Sequence, residues 1–213
     1  GMGTYSDVDG LLPFLSEDDV KAAQILNERT VDAVQKDVGE NFCGFLYGGF
    51  MLTKSGVKLI EYNVRFGDPE AINLIPLIDT DWVKLLNAMA EQKLDSIKDD
   101  IKIKNRATVC QYVVPKGYPD APKKGPISVD NLSDDLIRDN LFIGAVALDE
   151  DGSSWVMTGS RAIGVLGVGG DLPEAHAQAC GIISHISGDI FYRKDIGTAD
   201  LISKRVDFVK GFK

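Results

Sequence analysis

Residues 60–70 read IEYNVRFGDPE. Glu61, Asn63 and Arg65 stand at every second position of this stretch. In a β-strand, residues two apart share a face. A strand here points a carboxylate, an amide and a guanidinium one way, while Ile60, Tyr62 and Val64 pack on the other side. Carboxylate and amide oxygens are hard donors that suit Mg²⁺, an ion that takes few protein ligands and completes its shell with substrate phosphates and water. An arginine beside them suits a phosphate oxygen. The strand reads as a platform for a Mg–nucleotide. A structural ion pair between Glu61 and Arg65 on a solvated face is the alternative. Phe66-Gly67-Asp68-Pro69 then breaks the strand.

Upstream, residues 42–52 and 57–65 read as two strands joined at Lys54-Ser55-Gly56, a hairpin signal. Gly44, Gly48 and Gly49 imply a close approach of another strand or a ligand. Ser16 followed by Asp19 resembles a capping box. From there to about Val38, the residues Val20, Ala23, Ile25, Val31 and Val34 recur at helical spacing, and Gly39 ends the helix. Residues 1–13 are expected to be loop.

Downstream, Asp79 or Thr80 is placed to cap a helix over 81–92, with Trp82, Leu85, Leu86 and Met89 on one face. Residues 93–105 are charged and read as a module boundary. Strand signals follow at 107–114, 141–148, 154–158 and 161–168, with Asp149-Glu150-Asp151-Gly152 as a turn. Asp171 caps a helix with Pro173 just inside it, and Ala175, Ala179, Ile182, Ile183 and Ile186 form its buried face. The expected class is α+β, with domains at 1–100 and 101–213.

The 213 residues carry 23 basic and 32 acidic side chains, a net charge of −9, and are 44% hydrophobic. That permits a true core. The acidic balance argues against a nucleic-acid partner. No apolar run has the length of a membrane span, and no signal peptide opens the chain. Cys43, Cys110 and Cys180 lie far apart without CxxC spacing, which suggests neither a zinc site nor a disulfide framework. Cys43 and Cys110 lie in apolar strand-like runs and are expected to be buried. His176 and His185 have no Cys or carboxylate at ligand spacing. GVGG (167–170) is too short for a dinucleotide fingerprint.

In sequence, IEYNVRFGDPE resembles the metal- and phosphate-binding strand of the ATP-grasp enzymes, in the form typical of the phosphoribosylamine–glycine ligases. GMGTYSD (1–7), CGFLYGGFMLTKSGVKLIEYN (43–63), KGYPDAPKKG (116–125), SRAIGVLGVGGDLPEA (160–175) and FYRKDIG (191–197) resemble further blocks of that family, in its order. The resemblance covers nearly the whole chain. It implies the C-terminal half of an ATP-grasp module, an antiparallel sheet with helices, followed by a small α+β domain. It implies a cytoplasmic enzyme that joins glycine to 5-phospho-β-D-ribosylamine with ATP. Complete members carry, before these blocks, a phosphate-covering loop and nucleotide-holding lysines that this sequence does not show. The chain is therefore expected to be inactive alone and to work with a separate N-terminal half.

By the same resemblance, Glu61 and Asn63 hold Mg²⁺ (or Mn²⁺) and with it ATP, and Arg65 is the catalytic residue on the transferred phosphate. Asp68 and Glu70 are substrate-side residues. Asp68 could instead organise the turn, and Glu70 could pair with the amine or with Arg65. Gly1, Met2, Gly3 and Tyr5 resemble the loop that closes on the substrate, with disorder the default for a free terminus. Lys116 and Tyr118 belong to a family-like turn. Arg193, Lys194 and Asp195 match FYRKDIG, where a solvated charge cluster is the plainer reading. Two rivals remain: another ATP-grasp carboxylate–amine ligase, and a non-catalytic binding module.

Overall fold

The structure is a computed structural model that describes residues 1–211. The last two residues of the expected domain 101–213, Phe212 and Lys213, lie outside the described residues. Along the chain run β1 (Gly3–Ser6), α1 (Glu17–Val38), β2 (Tyr47–Thr53), β3 (Gly56–Asn63), α2 (Glu70–Leu74), α3 (Trp82–Ala90) and β4 (Ala107–Pro115). Then come β5 (Gly125–Val129), α4 (Asp134–Asn140), β6 (Leu141–Ile143), β7 (Val146–Leu148), β8 (Trp155–Met157) and β9 (Ile163–Gly169). The last elements are α5 (Leu172–Ile183), β10 (Ile186–Gly188), β11 (Ile190–Phe191) and α6 (Ala199–Lys210). The strands of each sheet pair antiparallel, and the class is α+β.

The chain forms two compact units, each gathered from separated segments. One gathers Gly1–Gly10, Asp68–Ile75 and Asn105–Leu201. The other gathers Leu11–Gly67, Pro76–Lys104 and the described residues from Ile202 on.

In the first unit, β1, β4, β9 and β6 form a sheet in that order, with β11 added to β4. A second sheet runs β10-β5-β8-β7. All nine residues of β4 are buried, so it reads as an apolar run rather than an alternation. The glycines of β9 explain how helices reach both faces of the sheet. A Cβ on Gly167 would collide with the backbone of α5 at Ala175 and Ala179, and one on Gly164 would strike Ile72 of α2. Asp171 caps α5 by accepting from the Glu174 amide (2.8 Å), with Pro173 inside its first turn, as its sequence predicts. Met157, Ile163, Val165, Ile182 and Ile183 pack together in the core.

In the second unit, α1 lies on the β2–β3 hairpin. Both halves of the Ser16–Asp19 capping box are present, and Gly39 ends the helix in the left-handed conformation at φ 82. A two-stranded sheet covers only part of this 22-residue helix, so no α1 residue is fully buried. Gly48 leaves room for Asn27 of α1 and for the Phe50 ring. The close approach is thus made by side chains. Asp81 caps α3, accepting from the Lys84 amide at 2.9 Å, in place of Asp79 or Thr80. Leu85 and Ala88 are buried, while Leu86 of the expected apolar face is exposed.

Three further expectations need correction. Residues 3–6 are not loop but strand β1, paired with Thr108–Gln111 of β4. Residues 141–148 form two short strands in different sheets, separated at Gly144, whose amide bonds the Ala162 carbonyl. Residues 42–46 precede β2, so Cys43 is exposed, with its thiol donating to the Met89 carbonyl.

Candidate active site

The side chains of Glu61 and Asn63 do share a side of β3. Asn63 Nδ2 donates to Glu61 Oε1 at 3.2 Å. The strand face opposite is only partly as expected. Tyr62 packs inward: its hydroxyl donates to the Leu26 carbonyl of α1 (3.1 Å) and lies 3.0 Å from Thr30 Oγ1. Its ring meets Phe50 edge-on at 6.4 Å. Ile60 and Val64, by contrast, are 61% and 75% exposed. The pairing shifts from Gly49↔Glu61 to Phe50↔Leu59, which leaves Ile60 as the extra residue of a bulge. β3 ends at Asn63, so Val64 and Arg65 lie beyond the alternation.

Arg65 is exposed, and its Nη1 donates to the Phe66 carbonyl at 2.7 Å. Among the described residues it makes no ion pair with Glu61, so the structural pair considered for them is absent. Phe66 stacks on Phe45 at 3.9 Å and meets the Trp82 ring edge-on, which holds the end of the strand. The donor set fits a hard cation. Glu61 and Asn63 each bring an oxygen-bearing side chain to this side of the strand, and such oxygens suit an ion that completes its shell with water and substrate phosphates.

The other unit assembles a second group. Both carboxylate oxygens of Asp68 are engaged: Oδ1 accepts from the Tyr112 hydroxyl (2.9 Å), and Oδ2 from Arg161 Nη2 (2.8 Å). Arg161 Nη1 also donates to the carbonyls of Asp68 and Gly1, each at 3.0 Å. Its guanidinium lies 4.8 Å from the centre of the Tyr112 ring, a cation–π arrangement. Burial, then the bond donated to Asp68, raises the Tyr112 pKa above the ordinary phenol value. Cys110, fully buried, is pushed up to about 12, by burial first and then by the Asp68 charge.

Glu70, half-buried, opens α2. Gly3 sits in β1, where any Cβ would run into the Cys110 carbonyl and Ile196. Tyr5 pairs with Val109 in the same ladder. Tyr112 and Arg161 escaped the sequence reading. The one usable signal was an arginine standing directly before the apolar strand AIGVLGV.

Among the remaining sequence candidates, Arg193 pairs bidentately with Asp195, so the charge-cluster reading describes them. Lys116 pairs with Asp189 at 2.6 Å. His176 Nε2 lies 2.8 Å from the Lys194 carbonyl and 3.5 Å from Cys180 Sγ, and His185 bonds the Asp130 carbonyl. Cys43, Cys110 and Cys180 are free thiols. No helix among the described residues is long and apolar enough to cross a membrane.

Comparison with known proteins gives the class first. The family model for the phosphoribosylglycinamide synthetase ATP-grasp (A) domain matches residues 1–71, which contain the Glu61–Asn63 strand. The model for the C domain of the same synthetase matches residues 108–199. The chain is 46% identical over 208 residues to the phosphoribosylamine–glycine ligase of Methanocaldococcus jannaschii, covering 97% of this chain and 46% of that protein. It is 41% identical over 210 residues to the Methanosarcina acetivorans ligase, covering 99% and 46%. The crystal structure of the Thermotoga maritima ligase superposes with a TM-score of 0.67 at 28% identity, covering 92% of this chain and 46% of that one. The chain belongs to the phosphoribosylamine–glycine ligase family. It spans about half the length of the curated relatives it matches.

Proposed function

We propose that this chain provides the metal-facing strand and the small α+β domain of an ATP-dependent ligase that joins glycine to 5-phospho-β-D-ribosylamine. The observation that carries the reading is the convergence of Glu61 and Asn63 on one side of β3, within a chain 46% identical to such ligases. In this reaction the glycine carboxylate attacks the γ-phosphorus of ATP, giving glycyl phosphate and ADP. The ribosylamine nitrogen then attacks the glycyl carbonyl, loses a proton and expels phosphate.

Glu61 and Asn63 would hold Mg²⁺ or Mn²⁺; when bound, the metal offsets phosphate charge repulsion. Arg65 has Nε and Nη2 left to meet the transferred phosphoryl oxygens, where charge develops. Glu70 would meet the amine of the acceptor. Asp68, with both carboxylate oxygens taken within the protein, would shape the substrate side rather than bind there. Gly3 and Tyr5 would line that side from β1. Positioning supplies most of the rate. We place the enzyme in the cytoplasm and assign residues 1–100 to the ATP-grasp module and 101–213 to the small domain. Turnover requires the remaining half of the relatives' length, supplied by another segment or chain.

The test is ATP consumption dependent on both glycine and ribosylamine, the latter generated in situ. It is measured for this chain alone and mixed with the N-terminal half of the Methanocaldococcus jannaschii ligase. Turnover in the mixture, abolished in Glu61→Ala, is expected. Turnover dependent on a different amine would point to another ATP-grasp ligase. None with both halves folded would refute the reading.

A further inference from the structure

We infer that Arg161 is a positioning residue that pins the segment 68–75, and Glu70 within it, to the residues just ahead of β1 and to β4. A lone exposed ion pair would contribute little to stability or placement. Arg161 differs in three respects. Its side chain is only 22% exposed. It donates to three acceptors from two distant parts of the chain: Asp68 Oδ2, the Asp68 carbonyl and the Gly1 carbonyl. Its guanidinium carbon also lies over the ring of Tyr112, which itself bonds the other Asp68 oxygen. The carbonyls of Gly1 and Asp68 both lie outside the strands and helices, and Arg161 supplies each of them with a donor.

The far end of the segment has its own tie. Asn73, 3% exposed, donates to the Thr108 carbonyl at 3.3 Å, and Thr108 Oγ1 lies 3.4 Å from the Asn73 carbonyl. Glu70 therefore sits between two fixed points, Asp68 and Asn73, both referred to β4. A planar fork of five donors makes this arrangement; an ammonium, a single point of charge, would not reach the same three acceptors. The consequence for catalysis rests on the reading of Glu70 as the residue that meets the acceptor amine. The positioning itself does not.

The test compares wild type, Arg161→Ala and Arg161→Lys by amide hydrogen exchange, with and without added guanidinium ion at low millimolar concentration. Exchange is expected to rise by about tenfold or more in residues 3–6 and 72–75 of both variants, with α5 and β9 unchanged. Guanidinium should restore protection in Arg161→Ala and leave Arg161→Lys unprotected. Uniform loss of protection across the unit, or the absence of rescue, would overturn the inference. In the mixed-half assay, the KM for ribosylamine should rise about tenfold or more in Arg161→Ala while kcat stays within a few-fold of wild type. An unchanged KM would overturn the link to Glu70. The exchange and rescue readouts need no substrate, so they judge Arg161 even if the ligase reading fails.

Discussion

Removing one hydroxyl, Tyr62→Phe, separates what anchors strand β3 from what merely neighbours it. In the native unit the Tyr62 hydroxyl donates to the Leu26 carbonyl, and Thr30 Oγ1 lies 3.0 Å from Tyr62 and 2.9 Å from the same carbonyl. Thr30 has one hydroxyl proton, which can serve only one of those two acceptors at a time. When the Tyr62 hydroxyl is lost, Thr30 turns fully to Leu26, and no buried acceptor is stranded. The cost is then that of one neutral hydrogen bond, about 1 kcal/mol. The ring and its edge contact with Phe50 stay in place. Tyr62→Ala also removes the half-buried ring and should cost about 2–3 kcal/mol. Urea unfolding followed by fluorescence in a Trp155→Phe background reports on this unit through Trp82, since Trp155 lies in the other unit. A Tyr62→Phe loss equal to that of Tyr62→Ala would refute the reasoning, because Thr30 would then not be replacing the missing donor.

Two further outcomes follow from burial in the first unit. The Cys110 thiol is raised from about 9 to about 12, so the folded chain keeps a proton that the unfolded chain loses. Stability from this group is complete below about pH 9 and declines as pH rises toward about 12. Cys110→Ala should flatten that decline in alkaline melts. In native protein at pH 8, Cys43 should react with a thiol reagent at once and Cys110 only on unfolding. Gly3→Ala places a methyl against the Cys110 carbonyl and Ile196. It should cost about 2 kcal/mol or more by overpacking, seen as a lowered Tm and loss of amide protection in β1.

Much of the local structure was legible because its determinants are local. Ser16, Asp19 and Gly39 bound α1, and Asp171 with Pro173 starts α5, each within a few residues. The same held for Glu61 and Asn63, whose shared side follows from strand alternation alone. What escaped depends on partners far along the chain. Gly3–Ser6 is a strand only because Thr108–Gln111 is there to pair with it. Asp68 is a structural node only because Tyr112 and Arg161, 44 and 93 residues away, close on it. The bulge at Ile60 carries no turn residue to announce it, so Ile60 and Val64 were assigned to a packed face that the strand does not present.

The metal site is tested most directly by electron paramagnetic resonance of Mn²⁺ with ATP, on this chain combined with the N-terminal half of a relative. Glu61 and Asn63 as ligands predict a bound Mn²⁺–nucleotide signal in wild type, and affinity weakened at least about tenfold in both Glu61→Ala and Asn63→Ala. Equal Mn²⁺ affinity in wild type and both variants, with all three folded, would contradict the assignment of this strand as the metal platform.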